Sequence, residues 1–86
     1  MAVVLHNDDI NGFDYVVRAL RAVFGFGMWR AGWLTLRTHV GGSCRIWVGP
    51  RPDAENRARA LVGMGPDPNM LHRGAQPLRV TIETAK

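Results

Sequence analysis

The chain has 86 residues, 47% hydrophobic and 21% charged, with a formal net charge of +4, a balance that excludes a disordered chain and fits one globular core near the lower size limit. The single cysteine, Cys44, excludes an internal disulfide and suits a reducing, cytoplasmic setting. No apolar run approaches the roughly 20 residues of a membrane span, and the apolar opening Met1–Leu5 is too short for a secretory core.

Ala2–His6, with two valines, reads as a strand entering a polar turn that ends at Asn11-Gly12. Asn11 suits a helix cap and Asp14 the reciprocal capping position three residues later. Phe13, Val16, Val17, Leu20, Val23 and Phe24 then recur at three- and four-residue steps, an amphipathic helix with Arg18 and Arg21 outward, stopped by Gly25 and Gly27.

A second helix is predicted from Met28 to about Thr38, with Ala31, Leu34 and Thr38 on one face and Trp33 and Leu36 on another. Gly32 weakens it by roughly 1 kcal/mol relative to alanine, and Gly41-Gly42 ends it. Cys44–Val48 alternates as a second strand. Asp53–Met64 reads as a third helix, with Pro52 suited to its first turn. Gly65–Gln76 is a largely polar loop. Pro77–Thr84 is the last strand, with Leu78, Val80 and Ile82 inward and Arg79, Thr81 and Glu83 outward.

The order is β-α-α-β-α-β: an α+β two-layer domain over residues 1–86, a three-stranded antiparallel sheet packed with three helices, with no separate linker or N-terminal extension. The eleven basic residues, ten of them arginine, are scattered with no run of three, which favours a solvated surface over a nucleic-acid face. Three tryptophans in so small a domain read as core or half-buried surface. His6, His39, His72 and Cys44 follow no zinc or Cys-His spacing, so neither a metal, a cofactor nor an enzyme is indicated.

Four ordered segments resemble the ClpS adaptor family. They are Val3-Val4-Leu5-His6-Asn7-Asp8-Asp9, the stretch Phe24–His39 with Leu34-Thr35-Leu36 before the closing histidine, Ala54-Glu55-Asn56-Arg57, and Pro77-Leu78-Arg79-Val80-Thr81-Ile82-Glu83. The resemblance implies a non-catalytic adaptor of the N-end rule. Such an adaptor binds N-degrons, proteins whose first residue is Leu, Phe, Tyr or Trp, and delivers them to a ClpA- or ClpC-type AAA+ unfoldase for degradation.

By the same resemblance, Asn7, Asp8 and His39 hold the target's α-amino group, a cation whose three donors need acceptors. Asn7 brings a side-chain carbonyl, Asp8 a carboxylate for charge-assisted bonds, and His39 a neutral ring nitrogen. Binding should therefore weaken as that ring is protonated, and again in alkali as the α-amino group, with an ordinary pKa of about 7.7–8.0, loses its charge. On pattern alone, Asn-Asp-Asp before a helix is also turn chemistry, and a histidine at a helix end also satisfies terminal carbonyls.

The implied hydrophobic pocket is lined by Asn11, Phe13, Val16, Thr35, Thr38 and Leu78. Phe13 and Thr35 stand where the family has methionine, Thr38 where it has valine and Asn11 where threonine is common. The bulkier Phe13 should narrow the mouth and the hydroxyls make the walls more polar, favouring one or two of the four usual first residues. Phe13, Val16 and Leu78 equally suit a plain core. Glu55 and Arg57 take the family's unfoldase-docking positions, but Pro52 replaces an acidic residue and Arg57 a lysine. Two alternatives stay open: a ClpS-fold binder of N-terminal residues without Clp delivery, and a small basic nucleic-acid-binding domain.

Overall fold

The computed structural model describes residues 1–85. Its elements run β1 (Ala2–His6), α1 (Phe13–Phe24), α2 (Met28–Gly41), β2 (Ser43–Val48), α3 (Arg51–Gly63), a 3-10 turn at Pro68–Arg73, and β3 (Val80–Glu83). This is the predicted order. α1 spans the predicted Phe13–Phe24, α2 runs past Thr38 to Gly41, α3 starts at Arg51 rather than Asp53 and ends at Gly63, the last strand is shorter, and the predicted polar loop contains the 3-10 turn.

The most apolar strand lies in the middle. The sheet order is β2-β1-β3, antiparallel throughout, so β1 is paired along both edges; its Ala2, Val3, Val4 and Leu5 are all buried. Val3 and Leu5 join the helix-covered core with Leu20, Ile46 and Leu61. Val4 faces the other side, where Arg45 of β2 and Glu83 of β3 pair across the central strand at 2.6 Å. Opposite Val3 and Val4 the register skips one residue of β2. That bulge turns Ile46 into the core, where it is buried.

In α1 the arginines face out as the periodicity predicts, but the buried residues are Tyr15, Val16, Ala19 and Leu20; of the predicted stripe, Val17, Val23 and Phe24 are only partly buried and Phe13 is exposed. The predicted cap is different. Gly12 occupies the N-cap with no side-chain bond, and Asn11 is engaged elsewhere. In α2 the buried stripe is Ala31, Thr35 and Thr38, which leaves Trp33 mostly exposed and Trp29 91% exposed. Neither tryptophan is the core or half-buried residue its type suggests; Trp47 alone is half-buried. Gly42 ends α2 at φ 88°, in the left-handed region that glycine adopts without a Cβ clash. No helix among the described residues is long and apolar enough to cross a membrane.

Candidate functional site

The turn between β1 and α1 is fixed from both sides. His6 N–H donates to the Arg79 carbonyl at 3.0 Å, and Asn7 N–H donates to the Gly42 carbonyl at 2.8 Å. The left-handed residue that stops α2 therefore also docks the turn beside His39, in the last turn of that helix.

Within the turn, Asp8 Oδ1 accepts the N–H groups of Ile10 at 2.8 Å and Asn11 at 3.0 Å. Asp8 Oδ2 accepts Asn11 Nδ2 at 2.5 Å. These bonds hold the carboxylate in one orientation, and a carboxylate has about four lone-pair sites, so Oδ2 keeps accepting capacity. Asn7 Nδ2 donates to Asp9 Oδ1 at 3.1 Å, which leaves the Asn7 side-chain carbonyl without a donor among the described residues.

Asn11, 6% exposed, is the hub. Besides holding Asp8, its Nδ2 donates to the Gln76 carbonyl at 2.8 Å, and its Oδ1 accepts Asp67 N–H at 2.9 Å. Asp67 in turn accepts from Gly12 N–H at 3.1 Å and, through its other oxygen, from Asn69 N–H at 3.0 Å. A Cβ at position 12 would sit 3.0 Å from that Asp67 oxygen, a tight contact that the carboxylate would have to yield to by a few tenths of an ångström.

These elements enclose one cavity of about 340 Å³, near the small end of ligand sites, roughly 300–1,000 Å³. Asn7, Asp8 and His39 line it together with Asn11, Phe13, Val16, Thr35, Thr38 and Leu78. All nine residues implied by the resemblance thus meet in one place. Val16 and Leu78 also belong to the core cluster, so for them the two readings hold at once, whereas Phe13 is 47% exposed at the rim.

Two features differ from the sequence reading. The Thr35 and Thr38 hydroxyls donate to the carbonyls of Ala31 and Leu34, each at 2.8 Å. Their only protons are spent inside α2, so the walls are less polar than the residue types suggest. Met70, from the 3-10 turn, and Ile10 also line the cavity. The signal for Met70 is Asp67-Pro68, a capping residue followed by proline at the first helical position.

Glu55 and Arg57 lie outside the cavity. Glu55 pairs with Arg51 one helical turn earlier at 2.9 Å. Arg57 Nη1 donates to the Val23 carbonyl at 2.9 Å, and the guanidinium lies over the rings of Phe24 and Trp47 at 5.4 and 5.1 Å. Among the described residues no group of three His, Cys, Asp or Glu side chains is placed to hold a metal.

Residues 1–81 match the family described as ATP-dependent Clp protease adaptor protein ClpS. Among solved structures, that of Agrobacterium tumefaciens ClpS2 bound to L-phenylalaninamide matches with a TM-score of 0.81 and 28% identity, covering 95% of this chain and 92% of that one. No curated protein sequence matches the chain. With its ordered motifs, its sheet and helices, and a family match over nearly the whole length, the chain belongs to the ClpS family of Clp protease adaptors.

Proposed function

We propose that the cavity captures proteins by a free α-amino group and a bulky hydrophobic first side chain, Leu, Phe, Tyr or Trp. The observation that carries this reading is the grouping of acceptors and apolar walls in one cavity. Asn7, Asp8 and His39, which carry acceptor atoms, line the same cavity as Phe13, Val16, Met70 and Leu78. An ammonium takes charge-assisted bonds from the first group, while burial of an aromatic or leucine side chain against the second contributes roughly 1.5–3 kcal/mol. The A. tumefaciens relative binds L-phenylalaninamide, which offers a free α-amino group next to a phenyl ring. No bond is made or broken; the site binds.

The test is a titration of the 86-residue protein with L-phenylalaninamide and its N-acetyl derivative. Acetylation removes the charge and two donors, so it should abolish binding, and Asp8→Ala should do the same without unfolding the domain. Equal affinity for the two compounds would overturn the reading.

Delivery to a ClpA- or ClpC-type unfoldase in the cytoplasm is the second half of the proposed role, with Glu55 and Arg57 on the docking surface. Capture without delivery is a distinct reading, favoured by the engagement of Arg57 with Val23, Phe24 and Trp47 and by Pro52 at a position acidic in the family. A degradation assay with a Clp unfoldase, its peptidase and a reporter beginning with leucine separates the two: stimulation by this chain supports delivery.

A further inference from the structure

The outer faces of α1 and α2 carry large apolar side chains that the fold leaves uncovered. Trp29 is 91% exposed, Trp33 58% and Met28 61%. They border a groove of about 560 Å³ between the two helices, lined also by Phe13 and Leu36 and, on α1, by Arg18 and Arg21. Gly32 also lines it; a Cβ built there would meet nothing within 4 Å. A single large residue at position 32 would therefore occupy the groove.

Two observations identify an occupant. First, Phe13 lines both the groove and the candidate amino-terminus pocket, so the two spaces adjoin at one side chain on the rim, where a chain leaving the pocket can pass into the groove. Phe13 and Arg21 are eight residues apart on α1, about 12 Å at 1.5 Å per residue, which an extended chain crosses in roughly three to four residues. Second, Arg18 and Arg21 have no carboxylate within ion-pair distance among the described residues, and only Asp14, at the Phe13 end, brings negative charge to the lining. A second copy docked here about a two-fold axis would bring both arginine pairs to one apolar interface, a like-charge juxtaposition. An apolar and acidic polypeptide answers both features.

We propose that the groove is a second subsite for the same target. It takes roughly residues two to five when these combine apolar with acidic side chains. The inference rests on the reading of the pocket as an amino-terminus site, and it makes target choice depend on more than the first residue.

The test compares three ligands on the 86-residue protein: L-phenylalaninamide, a peptide beginning Phe-Leu-Glu-Leu-Glu, and one beginning Phe-Gly-Ser-Gly-Ser. The Leu/Glu peptide should bind about tenfold tighter than the Gly/Ser peptide, as expected for burying about one leucine with partial charge pairing. Gly32→Leu fills the groove and replaces glycine by a better helix former, so it should fold at least as well. It should reduce the advantage to roughly twofold or less and leave L-phenylalaninamide affinity unchanged. Arg18→Glu with Arg21→Glu should shift the preference towards a Phe-Leu-Lys-Leu-Lys peptide.

Equal affinity of the wild-type protein for the two longer peptides would overturn the proposal, as would an advantage that survives Gly32→Leu. So would a sedimenting dimer that Gly32→Leu disperses while both peptides bind alike, since the occupant would then be a second copy. Failure of L-phenylalaninamide itself to bind identifies the pocket reading as the error, and the subsite falls with it.

Discussion

The Asn11 side-chain oxygen accepts Asp67 N–H at 2.9 Å, and the Asp67 carboxylate in return accepts the N–H of Gly12, the residue after Asn11, at 3.1 Å. The pair joins the opening turn to a loop 56 residues further on, and both residues are buried. Removing the carboxylate leaves the N–H groups of Gly12 and Asn69 without their acceptor, and a buried unsatisfied donor costs about 1–3 kcal/mol. Asp67→Ala should lower the stability of the domain by that amount in urea melts, while Asp67→Asn, which keeps one acceptor oxygen, should lose less. Affinity for L-phenylalaninamide should fall in the alanine variant, because the loop that carries Met70 loses its anchor.

Met70 gives that loop a direct part in ligand choice. It lines the cavity together with Thr35, and a thioether is a favourable neighbour for an aromatic ring. Met70→Ala should enlarge the cavity and weaken L-phenylalaninamide binding by roughly tenfold, the loss of most of one buried side-chain contact. L-Tryptophanamide, with a larger ring, should lose less. Calorimetric titration of both ligands on both proteins checks the change in their ratio.

Part of this architecture is legible in the sequence because it depends on periodicity and punctuation. Ala2–His6 reads as a strand from its valines, α1 from its three- and four-residue steps, and the ends of both helices from glycines. Asn7, Asp8 and His39 are legible as a set only through the resemblance, since each also suits ordinary turn or cap chemistry. What stays hidden depends on distant partners. Nothing local to Asn11 shows that its amide reaches Asp8, Gln76 and Asp67 rather than capping α1. The threonine side chains give no sign of which carbonyl their hydroxyls choose. Trp29 misleads by residue type, yet its position tells the truth: Trp29, Trp33 and Leu36 share a stripe separate from the buried Ala31, Thr35 and Thr38.

Tyr15 couples this packing to alkaline pH. Its hydroxyl donates to the carbonyls of Met64 at 3.0 Å and Gly65 at 2.5 Å. Burial, reinforced by the Asp67 carboxylate and opposed by Arg18, raises its pKa above the ordinary 10.0. The folded state therefore holds the phenol proton more tightly than the unfolded chain. The associated stability is fully present below about pH 10 and is lost as the pH rises through the raised value. Tyr15 is the only tyrosine, so the ultraviolet tyrosinate band reports it alone. It should titrate above pH 10 in the folded protein, and Tyr15→Phe should flatten that limb of the stability–pH curve while lowering stability at neutrality by leaving the two carbonyls unpaired.

Arg57 tests whether the third helix serves the fold, delivery, or both. Val23 lies in the last turn of α1, where carbonyls lack intrahelical partners and a cation is favourable. Arg57 supplies that cation while covering Phe24 and Trp47. A bond from a charged donor contributes about 1.5–3 kcal/mol, and the ring contacts at a half-exposed site about 0.5–1 kcal/mol. Arg57→Ala should therefore lower the denaturation midpoint by an amount equivalent to about 2 kcal/mol or more, with L-phenylalaninamide affinity unchanged because Arg57 lies outside the cavity. Arg57→Lys keeps a charge but not the planar group that donates to Val23 while lying over two rings, so it should recover only part of the stability. Full recovery by lysine would show that charge alone matters there. An alanine variant of wild-type stability that fails only in the unfoldase-coupled assay would assign Arg57 to the docking surface instead.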